Sequence, residues 1–282
     1  MFRLVLCLLL LALASGCSSL LSSATAHLAT NFSQALLNQN DPETVRDGIP
    51  AYLLMIDGFI DADPEDTKNL LAGARLYATF AGTFVSNEER AQRLSDKSLG
   101  YARRALCIEN ELLCSVYDQP FSVFLTALPE LDIDDIPVAY AFASAWAGWI
   151  RLHKGDWNAI ADLPKITALL ERVVALQDDY KEGEPHLYLA VLATQLPPSL
   201  GGKPELGRKH FERAITLSQG HNLMAKVLYA RQYARLLYNR VLHDEILKEV
   251  LLAKTDYPGL TLSNTLAKRQ AKELLNGADD YF

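Results

Sequence analysis

Asn222, Lys226, Tyr229 and Tyr233 recur at i, i+4, i+7 and i+11. On a helix that spacing lines up an amide, an ammonium and two phenols along one face. Arg231 and Arg235 add a cationic stripe beside it. A solvated helix face more often carries Glu and Lys, so the pattern reads as a concave binding face. Packing against a neighbouring helix is the competing reading. Trp157 and Asn158 follow Gly155-Asp156 at a turn, where they either staple two helices or offer an aromatic contact. The loop Pro197-Pro198-Ser199-Leu200-Gly201-Gly202 is long for a turn between helices, and long ordered loops often bind something. These ten residues (Trp157, Asn158, Pro197, Pro198, Gly201, Gly202, Asn222, Lys226, Tyr229 and Tyr233) form the candidate ligand- or partner-binding set.

None of them is catalytic in type. The sequence holds no HExxH, P-loop, GxSxG or CxxC motif. Its six histidines are scattered, and Asp178-Asp179 sits among turn residues. Gly201-Gly202 lacks the spacing of a phosphate cradle. The expectation is therefore a protein that is not an enzyme, with no cofactor and no metal. A formal charge of −7 with Lys and Arg interspersed argues against nucleic acid as a partner.

The N-terminus predicts where these residues work. Arg3 is followed by an apolar run from Leu4 to Leu13, too short to span a bilayer as a helix. Ala14-Ser15-Gly16 then precede Cys17, an arrangement that resembles a bacterial lipobox. Residues 1–16 read as a lipoprotein signal peptide and Cys17 as the lipidated first residue of the mature chain. Ser18 after it favours the outer membrane, on the periplasmic side. Residues 17–40 form a tether and first helix, and residues 41–282 a single helical-repeat domain. No later stretch reaches the length of a membrane span.

The elements that position the candidate residues are helices throughout. Periods near 3.6 run through residues 138–146 and 225–237. Asp41-Pro42-Glu43 and Asp63-Pro64-Glu65 each place an N-cap before a first-turn proline. Together with these starts and those at Asn87-Glu88-Glu89 and Pro204-Glu205, breaks at Gln119-Pro120, Pro129, Asp134 to Pro137, Gly155-Asp156, Gly183, Leu196 to Gly202, Gln219-Gly220 and Pro258-Gly259 divide the chain into about eleven or twelve helices. Leu170 to Leu176 echoes Phe211 to Leu217, and Tyr101 to Leu106 is a looser copy. Their placement resembles the large–x–x–small–aliphatic run that closes a tetratricopeptide unit, most clearly at Phe211 and Ala214. The fold class is all-α, a solenoid-like array of antiparallel hairpins with cryptic repeats. Ala214 takes the small position, where two helices should cross closely. Cys107 and Cys114 are seven residues apart, about 10.5 Å of rise in one helix, so a disulfide between them requires a helix break.

An ordered set of segments carries a family resemblance. It comprises Ala145-Trp146-Ala147-Gly148-Trp149-Ile150, Gly155-Asp156-Trp157-Asn158, His186-Leu187-Tyr188, Leu196-Pro197-Pro198 with Gly201-Gly202-Lys203-Pro204, His210-Phe211-Glu212-Arg213-Ala214, and Asn222-Leu223-Met224-Ala225-Lys226-Val227. Together with the closing Ala278-Asp279-Asp280-Tyr281-Phe282, these resemble the TatT family, the T components associated with TRAP transporters. The resemblance implies a periplasmic lipoprotein of tetratricopeptide-like hairpins, with a homo-oligomer, a trimer around a pore, as its candidate assembly. It implies docking to the transporter's extracytoplasmic solute-binding P component and help in moving an apolar or amphipathic ligand. It brings no catalytic residues. A stand-alone carrier of a small hydrophobic ligand is the alternative. Residues 107–135 match least.

Overall fold

A computed structural model describes residues 34–282 of the chain. The expected signal segment 1–16, Cys17 and the tether as far as residue 33 lie outside the described residues, and residues 34–37 are helical. From Pro42 onward the chain forms fourteen α-helices and no strand. These are α1 (Pro42–Ala62), α2 (Thr67–Thr83), α3 (Glu88–Glu109), α4 (Glu111–Val116), α5 (Phe121–Ala127), α6 (Ile136–Leu152) and α7 (Trp157–Ala161), then α8 (Leu163–Leu176), α9 (Glu184–Ala193), α10 (Pro204–Leu217), α11 (Leu223–Leu228), α12 (Arg240–Leu252), α13 (Thr261–Asn276) and α14 (Ala278–Tyr281). A π-helical segment, Tyr229–Ala234, continues α11. The all-α hairpin array is the expected one. The extra helices are short pieces such as α4, α7 and α14.

Capping accounts for most of the starts. Asp41, Asp66, Asn87, Asn110, Asp156, Asn222 and Asn239 each accept a backbone N–H two or three residues on, which satisfies an otherwise orphaned donor. The start expected at Asp63-Pro64-Glu65 shifts three residues along. Asp63 closes α1, Asp66 caps α2, and the Pro64 carbonyl accepts from Arg104 at 2.8 Å. The break at Asn110 folds α4 back on α3. The Asn110 carboxamide accepts from the Leu113 amide and donates to Asp135, both at 2.8 Å. That turn brings the Cys107 and Cys114 Cα atoms to 4.8 Å, and the two are joined by a disulfide.

Neighbouring helices pack antiparallel: α2 on α3, α3 on α6, α6 on α8, α8 on α9, α9 on α10 and α12 on α13. A core of Ile49, Leu70, Leu106, Phe124, Phe142, Ile166 and Leu170 runs along the first nine helices. Small residues set the closest approaches. A Cβ on Gly207 of α10 would come within 2.5 Å of the Thr194 side chain. Ala214 is buried, and its Cα would lie 3.2 Å from a Cβ on Gly183, whose φ of +86° itself favours glycine. The last long helix returns to the first. Arg269 of α13 holds Glu43 of α1 through two hydrogen bonds, one of them 2.8 Å, and Leu262 joins the main core.

Candidate functional site

Asn222, Lys226, Tyr229 and Tyr233 do not share one open face, and this corrects the expectation. Asn222 caps α11 by accepting from the Ala225 amide. Lys226 reaches α12 and pairs with Glu249 at 2.9 Å. Tyr229 stacks on Phe211 of α10, with ring centroids 5.3 Å apart and planes at 19°. Tyr233 donates to Glu205 at 2.7 Å. The two tyrosines are only 8% and 7% exposed. Burial, helped by Glu212 at Tyr229 and by Glu205 at Tyr233, raises both phenols' pKa values. Arg231 donates to Gln270 of α13, and Arg235 lies 4.3 Å over the Tyr281 ring. The physical reason is that α10, α12 and α13 pack around this helix, so Lys226 meets α12 while Tyr229 and Tyr233 stay together against α10. The stripe becomes a set of anchors to α10, α12 and α13.

The other candidates stand on one edge of the array. Gln92 at the start of α3 donates to the Leu152 carbonyl at the end of α6, at 2.9 Å. Alternation then puts the α6–α8 turn, the α9–α10 loop and the end of the π segment on that same edge. Trp157, in the first of these turns, is 83% exposed, and Asn158 beside it is exposed too. They border a shallow recess with Gln92 and His153. The Pro197–Gly202 loop is a built turn. The Gly202 amide donates to the Pro197 carbonyl at 3.1 Å and the Lys203 amide to Ala193 at 2.9 Å. A Cβ on Gly202 would sit 1.7 Å from the Leu196 carbonyl oxygen, so only glycine fits there. Leu196, Leu200, Tyr238, Val241 and Tyr281 expose apolar surface along the same edge.

Two features escaped the sequence reading. One is a cleft of about 390 Å³ between α3, α6 and α8, walled by Tyr117, Phe142, Trp146 and Trp149. Lys165, 6% exposed, lies in it. It is held by Asp162 at 2.9 Å and the Tyr117 carbonyl at 3.1 Å, with the Trp146 ring 5.8 Å away. Trp146 and Trp149, three apart on a helix, were visible in the sequence, but their partners come from distant segments. The other is a polar network around the buried His186. His186 and His210 face each other through their Nδ1 atoms at 2.8 Å, and His186 Nε2 meets Asp178 at 3.0 Å. Arg213 and His186 hold the Asp178 carboxyl below its ordinary range. Burial, then the charge on His186, pushes His210 down to about 4. Among the described residues, no group of three or more His, Cys, Asp or Glu side chains is placed to hold a metal.

Antiparallel hairpins carrying an exposed apolar edge and a side cleft define a helical-repeat scaffold, the class that recognises partners through broad surfaces. The family model of the TRAP transporter T-component, TAtT, matches residues 38–282, and the chain belongs to that family. It is an accessory component of a TRAP transporter. No curated protein matches the chain. Among the described residues, no helix is long and apolar enough to cross a membrane.

Proposed function

We propose that this chain docks the solute-binding P component of a TRAP transporter from the periplasmic side and assists transfer of an apolar or amphipathic ligand. The observation that carries the reading is the family match across residues 38–282. In this reading the docking surface is the edge of Trp157, Asn158 and Pro197–Gly202, because it gathers exposed aromatic and aliphatic groups on ordered turns. Cys17 carries the lipid that tethers the chain to the outer membrane. Residues 41–282 act as one unit, alone or as a homo-oligomer such as a trimer. Function through docking requires no catalytic group.

The test is a titration of purified P component against the wild-type chain, Trp157→Ala and Leu200→Ser. Exposed tryptophans that become buried at interfaces dominate binding energy, so Trp157→Ala should weaken association about ten-fold or more. Wild-type affinity in both variants would remove the edge, and no association by the wild type would remove docking. The aromatic cleft favours the second reading, a chain that itself carries a small ligand.

A further inference from the structure

The aromatic rings of the cleft brace one another. Phe142 and Trp146 lie 5.1 Å apart, and Tyr117 meets them edge-on at 5.7 and 6.5 Å. Trp149 stacks on His153 at 4.3 Å and donates its indole N–H to Asp96 at 2.7 Å. Rings fixed in this way form a preorganised apolar wall, and the volume suits a small molecule. Gly100 of α3 lines the same cleft, and a Cβ there would meet nothing within 4 Å. That side of the cleft is open space.

The charges in the cleft fall into two groups. Lys165 and Asp162 neutralise each other, and Asp96 is engaged by Trp149 and, at 3.4 Å, by His153. Arg103 and Asp118 are different: both stand exposed to solvent at the edge of the cleft. Arg103 donates once, to the Tyr117 hydroxyl at 2.9 Å, and has no carboxylate in ion-pair reach among the described residues. Asp118 accepts from its neighbour Gln119 at 3.0 Å and has no cation in that reach. The two line one cavity without pairing with each other. A ligand of one charge would satisfy one and be repelled by the other. A dipolar ligand satisfies both.

We propose that the cleft binds a small zwitterion with an apolar side chain, its carboxylate on Arg103, its ammonium on Asp118, and its side chain on Trp146 and Phe142. This deepens the ligand-handling half of the proposed function and rests on it, while docking belongs to a different surface and is assayed without this ligand.

The experiment follows tryptophan fluorescence in the Trp157→Phe chain, where both remaining tryptophans line the cleft. The probes are L-phenylalanine, 3-phenylpropanoate and phenethylamine, which share a ring and differ in charge. Phenylalanine should give a saturable change, and each singly charged analogue should bind about ten-fold more weakly or worse, the scale of one charged hydrogen bond. Arg103→Ala should remove the advantage over phenethylamine, and Asp118→Asn the advantage over 3-phenylpropanoate. Gly100→Leu fills open space on a helix that tolerates leucine well, so it should abolish binding while circular dichroism stays native. No saturable response to phenylalanine, an analogue binding as tightly as phenylalanine, or unaltered binding in a folded Gly100→Leu chain would each overturn the proposal. None of these results involves the P component, so docking stands or falls separately.

Discussion

Tyr229 and Lys226 are three residues apart and hold different neighbours, so their removal should differ in cost. Tyr229→Ala leaves a void against Phe211 and should cost about 3–5 kcal/mol, as large aromatic truncations do. Lys226→Ala removes a pair whose Glu249 partner is largely exposed and should cost about 1 kcal/mol or less. Denaturant midpoints decide this, and equal losses would contradict the buried placement of Tyr229. The histidine pair predicts a pH dependence. His210 falls from its ordinary 6.5 to about 4, so between those values the unfolded chain binds more protons than the folded one. Its stabilising contribution is complete above about pH 6.5 and is lost as pH falls toward 4. Asp178, depressed by Arg213 and His186, is lost in the same direction at lower pH. Thermal midpoints across this range should fall with acidification, and His210→Gln should flatten the fall above pH 4. An unchanged profile would contradict the assignment. At this scale the sequence showed which residues were unusual and not what they faced. Nothing local separates Tyr229 from a surface tyrosine, because the Phe211 ring that covers it comes from another helix.

Helix ends were easier to read than helix contacts, because caps are local. Asp41 acts where the sequence placed it, whereas the start of α2 moved to Asp66, which accepts from both the Lys68 and the Asn69 amides. Close crossings were legible where a small residue recurred in a repeat. Ala214 sits against the Gly183 turn, so Ala214→Leu should overpack that crossing and cost about 1–3 kcal/mol. An unaltered thermal midpoint would mean that the crossing has room. The α3–α4 junction was ambiguous because the helix break at Asn110 is held partly by Asp135, which is distant in sequence. Reducing the Cys107–Cys114 bridge, which closes a short loop, should cost about 2–3 kcal/mol in the chain-entropy account. Cys107→Ser with Cys114→Ser should reproduce that loss and be insensitive to reductant. A larger loss would show that the bridge holds more than this junction.

For the whole molecule, the alternation of hairpins brings distant turns to one edge. The all-α array followed from periodicity. The edge did not, because it depends on which helices are antiparallel neighbours. The cleft was hidden for the same reason: Arg103, Tyr117, Trp146 and Lys165 come from four separate segments. Tethering is a property of the same scale. Cys17→Ser should release the chain from membranes or leave an unprocessed precursor, with folding intact. A wild-type chain that fractionates as soluble and carries no acyl mass on its first peptide would contradict the anchor.

Hydrogen–deuterium exchange of this chain with and without purified P component tests docking and its location together. Docking at this edge should slow exchange at residues 153–162 and 195–203 on adding the P component, with residues 107–135 unchanged. No slowing anywhere, or slowing confined to residues 107–135, would contradict it.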